Sequence, residues 1–170
     1  PFDRLGRWTF PPTDKVFVYD KIDGTNVLGF TYRGPRNKYY TSYKTRLMPF
    51  VGDRRNGKFF SLWNLILKKY PQIPRFIISR YSDTFSFEMF GFFNPHLIRY
   101  NVDIDTAFLF SIDKGANLYP PINEYDCNLP TPKLERKIKS SSDLLSYYRE
   151  TQEEKQANLK QETLKLRSGK

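Results

Sequence analysis

Cysteine and histidine are all but missing from this sequence: Cys127 and His96 are the single copies in 170 residues. One thiol excludes an intrachain disulfide framework and a cysteine zinc site. One imidazole excludes a multi-histidine metal cage and a catalytic histidine pair. No apolar run approaches the roughly 18 residues of a membrane-spanning helix, so the expectation is a soluble chain with no membrane contact. Signal-peptide features are lacking too, and the opening on Pro1 instead of Met leads us to expect a trimmed N-terminus or a fragment. A lone free thiol suits a reducing, intracellular and cytoplasmic setting. The length fits one domain over 1–170, expected to act as a monomer.

Aromatic and basic residues are abundant. Phe (15) and Tyr (12) lift the aromatic share to 17%, too high for a disordered basic tail and enough for a packed core. The formal net charge is +10. It concentrates in residues 31–60, where Arg33, Arg36, Lys38, Lys44, Arg46, Arg54, Arg55 and Lys58 face a single acid, Asp53. Tyr32, Tyr39, Tyr40 and Tyr43 are interleaved with them. Cations that neutralise phosphates, beside rings that stack on bases, make a nucleic-acid or nucleotide footprint. A solvated basic hairpin is the plain alternative.

Apolar alternation predicts strands over 15–20, 26–32 and 38–44, an antiparallel meander punctuated by Asp23-Gly24 and Gly34-Pro35. Lys58 to Tyr70 reads as a helix with Phe59, Phe60, Trp63, Ile66 and Leu67 on one face, stopped by Pro71. Further strands are expected at 75–79, 84–90 and 106–112, then a Pro-rich loop at 120–132. A polar helix follows over 141–167, with Leu144, Leu145 and Tyr148 as its packing face. Strands and helices without regular βαβ alternation indicate α+β architecture, with mostly antiparallel sheets and flanking helices.

The segment that carries chemistry is Lys21-Ile22-Asp23-Gly24-Thr25-Asn26, where a strand yields to a tight turn. A lysine nucleophile must shed a proton it ordinarily holds up to about pH 10.4. Partial burial at a strand end and neighbouring cations both disfavour the ammonium. Gly24 lets backbone approach a phosphate or base closely, and Asp23 and Asn26 offer an acceptor and an amide. The plain reading of Asp23-Gly24 between two strands is a hairpin turn. Elsewhere, Asp103 and Asp105 form a weak metal pair on a loop. His96, after Asn94-Pro95, reads as structural, and Cys127 as an inert thiol.

That hexapeptide resembles motif I of the covalent nucleotidyltransferases, the family of ATP-dependent DNA and RNA ligases and mRNA capping enzymes. FSFEMFG is similar to motif III and AFLFSID to motif IIIa, in the family's order and across residues 15–115. NVDIDTAFLFSI is close to the matching segment of phage and kinetoplastid RNA ligases that seal nicks in double-stranded RNA. The resemblance implies a nucleotidyltransferase (ATP-grasp-like ligase) adenylylation domain. In it Lys21 takes up AMP from ATP, with Mg2+ or Mn2+, and AMP passes to an RNA 5′-phosphate for attack by a 3′-hydroxyl. It also implies nucleotide contacts from Asp20, Ile22, Asp23, Asn26 and Arg46. Glu88 would bind a ribose hydroxyl or a metal, and Phe110 would stack on the purine, with Phe108 the alternative. Lys44, Arg46, Arg54, Arg55 and Lys58 would hold the nucleic acid, in nicked duplex or free ends.

Two departures stand against this pattern. That branch more often has His where Asp23 stands, which points also to DNA ligases and capping guanylyltransferases. An E-G-x-V strand (motif IV) and a K-x-K segment (motif V) are not recognised after Glu88, so a longer parent chain is expected. A non-catalytic RNA-binding relative is the remaining alternative.

Overall fold

The computed structural model describes residues 16–51, 58–121 and 128–167, with side chains to residue 158. Arg54, Arg55, Cys127 and the middle of the Pro-rich stretch lie outside the described residues. The chain gathers into two compact units: Lys21–Lys133, and Pro1–Asp20 together with Leu134–Lys170. The α+β architecture with antiparallel sheets is the one expected from the sequence.

In the larger unit five strands form one antiparallel sheet in the order β3-β2-β4-β5-β6. They are β2 (Thr25–Arg33), β3 (Tyr39–Thr45), β4 (Thr84–Phe90), β5 (Asp105–Ile112) and β6 (Leu118–Tyr119). Helices α1 (Phe59–Lys69) and α2 (Gln72–Ser79) supply the apolar residues that cover one face. Val27, Phe85, Phe87, Met89 and Phe108 from the strands meet Trp63, Ile66, Ile73 and Ile77 from the helices, all at most 1% exposed. Aromatic rings dominate this core, with Trp63 tilted 57° on Phe87 and Phe76 edge-on to Phe108. Lys69 and Tyr70, at the end of α1, bond the Asp105 carboxylate at 2.7 and 2.8 Å and tie that helix to β5. This ion pair raises the Lys69 pKa and engages Asp105, which stands at the start of β5 and not on the expected loop.

Three expectations change. Residues 75–79 lie in α2, not in a strand: Ile73, Phe76 and Ile77 repeat at helical spacing, a period that a short apolar run conceals. Pro74 is tolerated because a first-turn N–H has no partner within the helix. The face of α1 is Phe59, Leu62, Trp63, Ile66 and Leu67, so Leu62 joins the expected set while Phe60 is half exposed. Finally, Tyr43 is not a nucleic-acid-facing ring. Its partner on β2 is Gly29, and the ring packs 5.2 Å from Trp63.

Burial pushes the Tyr43 hydroxyl up to about 12, with the Thr41 side chain pulling it back; no group meets the buried oxygen in good hydrogen-bond geometry. An unpaired buried hydroxyl costs stability, so Tyr43→Phe should be neutral or stabilising by up to about 1 kcal/mol. A thermal melt at neutral pH checks this, and a clear fall in midpoint would contradict it.

In the smaller unit β1 (Val16–Tyr19) pairs antiparallel with β7 (Leu134–Ile138), and α3 (Ser141–Arg167) follows. The expected three-strand meander is therefore not formed: β1 takes β7 as its partner, and only β2 and β3 make a hairpin. Ser140 caps α3, its Oγ accepting the Asp143 N–H at 3.2 Å. Arg136 bonds Glu150 at 2.9 Å and lies over the Tyr147 ring, while Ile138 and Leu144 are buried. Leu145, expected in that packing face, is 40% exposed. Among the described residues no helix is long and apolar enough to cross a membrane.

Candidate nucleotide site

Residues directly opposite one another in an antiparallel pair share a face of the sheet. Asn26 on β2 stands opposite Glu88 on β4, and Leu28 opposite both Ser86 on β4 and Lys44 on β3. On β5, Phe110 stands opposite Ser86. Asn26, Glu88, Lys44 and Phe110 therefore lie on the face that α1 and α2 leave open. Val27, Phe87 and Phe108 align on the core face.

The resemblance puts Phe110 on the purine, with Phe108 the alternative, and in a regular strand residues two apart would share a face. A bulge separates them. One step on β4, Phe87 to Ser86, matches two on β5, Phe108 to Phe110, so Leu109 is extra and the faces swap. Phe108 is 1% exposed in the core, whereas Phe110 is half-buried on the open face. Phe108→Leu should cost about 1–2 kcal/mol of stability. Phe110→Leu should leave stability nearly unchanged while weakening nucleotide binding. Denaturant melts of the two variants separate them, and equal losses would contradict the facing.

The turn before β2 is clamped to β4. The Gly24 N–H donates to Glu88 Oε1 at 3.0 Å. Asn26 Nδ2 donates to Ser86 Oγ (2.8 Å) and the Phe87 carbonyl (3.2 Å), with Glu88 Oε2 at 3.5 Å. This clamp by itself requires Gly24: a Cβ there would overlap the Met89 carbonyl oxygen and meet the Phe90 Cβ at 3.1 Å. The Asp23-Gly24 hairpin turn does not exist, because β1 and β2 are not partners.

A loop after β4 closes on the same turn. The Asp23 N–H donates to the Tyr100 hydroxyl at 2.8 Å, and Asp23 Oδ2 accepts the Ile98 N–H at 3.0 Å. The Thr25 hydroxyl donates to Asn94 Oδ1 and lies 3.2 Å from His96 Nε2. Asn94, His96 and Tyr100 are thus neighbours of the site that the sequence reading missed; His96 was seen but assigned no place beside Thr25. Only tertiary proximity identifies them. Burial pushes the Glu88 carboxyl up from the usual carboxylate range; donors from Asn26 and Gly24 and the nearby His96 pull it back, and Asp23 adds to the rise.

The remaining expected residues are more scattered. Lys21 is exposed and makes no hydrogen bond or ion pair with the described residues, so the expected partial burial is not seen. Ile22 and Asp23 are half-buried, and Asp20 is exposed at the end of β1 in the smaller unit. Lys44 lies on the open face within β3; Arg46 is exposed beyond the strand's end, and Lys58 is exposed just before α1. A Lys-x-Lys segment is in fact present: Lys137-Ile138-Lys139 on and just past β7, where Phe17 of β1 stands opposite Lys137. Ile138 is buried, and both lysines are exposed. Among the described residues no three carboxylate, imidazole or thiolate groups converge.

The fold is similar to that of a Naegleria gruberi RNA ligase, a lysine-to-alanine mutant in its apo form, with a TM-score of 0.51 and 12% sequence identity. The likeness covers 75% of this chain and 38% of that one, so this chain spans less than half of that ligase. No family model and no curated protein matches the sequence. At this identity the likeness concerns architecture alone.

Proposed function

We propose that the chain carries the adenylylating part of an ATP-dependent RNA ligase, which joins a 5′-phosphate to a 3′-hydroxyl through AMP held covalently on Lys21. The supporting observation is the register that sets Asn26, Glu88, Lys44 and Phe110 on one open face, with Gly24 bonding Glu88 directly. An aromatic for the purine, a carboxylate acceptor for a ribose hydroxyl and a cation for phosphate are the groups that a nucleotide needs.

Lys21 Nζ attacks the α-phosphorus. The nitrogen–phosphorus bond forms, the bond to pyrophosphate breaks, and the amine proton passes to solvent. Lys137-Ile138-Lys139 has the Lys-x-Lys spacing of motif V. Among the described residues no donor set for a resident metal ion is gathered, so no step is assigned to one. The second reading, a non-catalytic RNA-binding relative, is favoured by the exposure of Lys21.

Incubation of the whole chain with α-labelled ATP or GTP and a divalent cation, followed by nicked RNA or DNA duplexes, tests the assignment. ATP-dependent labelling and sealing of RNA is expected. GTP labelling alone indicates capping, DNA sealing alone a DNA ligase, and salt-dependent RNA binding without label the non-catalytic relative.

A further inference from the structure

The far end of the five-stranded sheet carries an aromatic platform that the site above does not use. At the tip of the β2–β3 hairpin Tyr32 stands opposite Tyr40, their rings stacked with centroids 5.7 Å apart and planes 24° apart. Both are exposed, at 49% and 41%. Tyr40 is held from beneath, since a Cβ on Gly34 would fall 2.6 Å from its ring. On the hairpin's other face Tyr39 packs 4.8 Å from Tyr81, and the Lys114 ammonium lies 5.7 Å from the Tyr81 ring. Arg33, Arg36 and Lys38 are exposed around the tip, and no acid occurs between residues 31 and 52.

We infer that the Tyr32–Tyr40 stack is a binding platform for single-stranded RNA. Exposed rings among unopposed cations suit a strand whose unpaired bases stack while its phosphates meet the guanidinium and ammonium groups. An acidic protein would use the cations but leave the rings unexplained, and a duplex keeps its base faces to itself. Asn26, Leu28, Phe30 and Tyr32 alternate along one face, so the platform and Glu88 look to the same side. Six residues of extended strand place them about 20 Å apart. Bases some nucleotides away from the reacting end would stack there. The choice of RNA over DNA rests on the RNA-ligase reading; the platform itself does not.

Fluorescence anisotropy of labelled single-stranded RNA, single-stranded DNA and duplex RNA with the whole chain tests the inference. Y32A/Y40A should weaken single-stranded RNA binding about ten-fold or more, and Y32F/Y40F should retain it. Gly34→Ala, which displaces the Tyr40 ring and removes no charge, should weaken it in the same direction. Labelling by ATP should be unchanged in all three. RNA affinity indifferent to the rings overturns the platform, and stronger binding of single-stranded DNA overturns RNA as its occupant. Ring-dependent binding in a chain that never labels retains the platform and removes the ligase assignment instead.

Discussion

Lys21→Ala should abolish covalent labelling of the chain by α-labelled ATP, and Lys21→Arg should abolish it equally. Alanine removes the nucleophile. Arginine keeps the positive charge but cannot lose its proton in a protein, so it separates attack by an amine from mere attraction of phosphate. The side chain is exposed, so either variant should change stability by no more than is typical of surface substitutions, about 0.5 kcal/mol. A loss of label is then not a loss of fold. In the wild type the bond should be broken by acid and survive alkali, as expected for a nitrogen–phosphorus link. Unaltered labelling of Lys21→Ala, with the label mapped to another residue, would remove Lys21 from the mechanism.

Glu88→Gln should lower nucleotide transfer by roughly ten- to a hundred-fold and, at neutral pH, slightly stabilise the fold. The first effect follows from losing a charged acceptor, whose hydrogen bonds are worth about 1.5–3 kcal/mol. The second follows from linkage. Burial raises the folded-state pKa of Glu88, so its protonated form favours the native chain. That contribution is fully present below the unfolded carboxyl pKa, about 4.3, and is lost as pH rises through the raised folded value. Glutamine stays neutral throughout and should track the wild type in acid, then exceed it above that window. The gap should not pass about 1 kcal/mol, because the side chain is only half-buried and water screens it. Melting curves of both proteins from acid to neutral pH check the sign, and a destabilised Glu88→Gln at neutral pH would show that the carboxylate is held for structure. A group that costs stability yet sits among donors on an open face is the pattern expected of a binding residue.

How far the sequence was legible depends on the range of the interaction involved. β2, β3, β4, β5, α1 and α3 were readable because their apolar period or composition is contained within each segment. The 75–79 segment was misread since five apolar-rich residues fit either period, and the packing of Ile73 and Ile77 against the sheet decided for helix. β7 was missed because LERKI has little apolar alternation; it is a strand through its pairing with β1. Lys137-Ile138-Lys139 went unrecognised with it.

The sequence by itself determined the α+β class, the aromatic core, the basic hairpin and the presence of Lys21, Asn26, Glu88 and Phe110, for these follow from composition and local order. Only the tertiary structure decided which phenylalanine faces the core, which backbone Gly24 serves, and that His96 and Tyr100 stand beside the turn. Those outcomes turn on one extra residue at Leu109 and on hydrogen bonds between residues more than sixty positions apart. Strand parity and long-range contact exist only once the sheet has closed, and no local pattern encodes them.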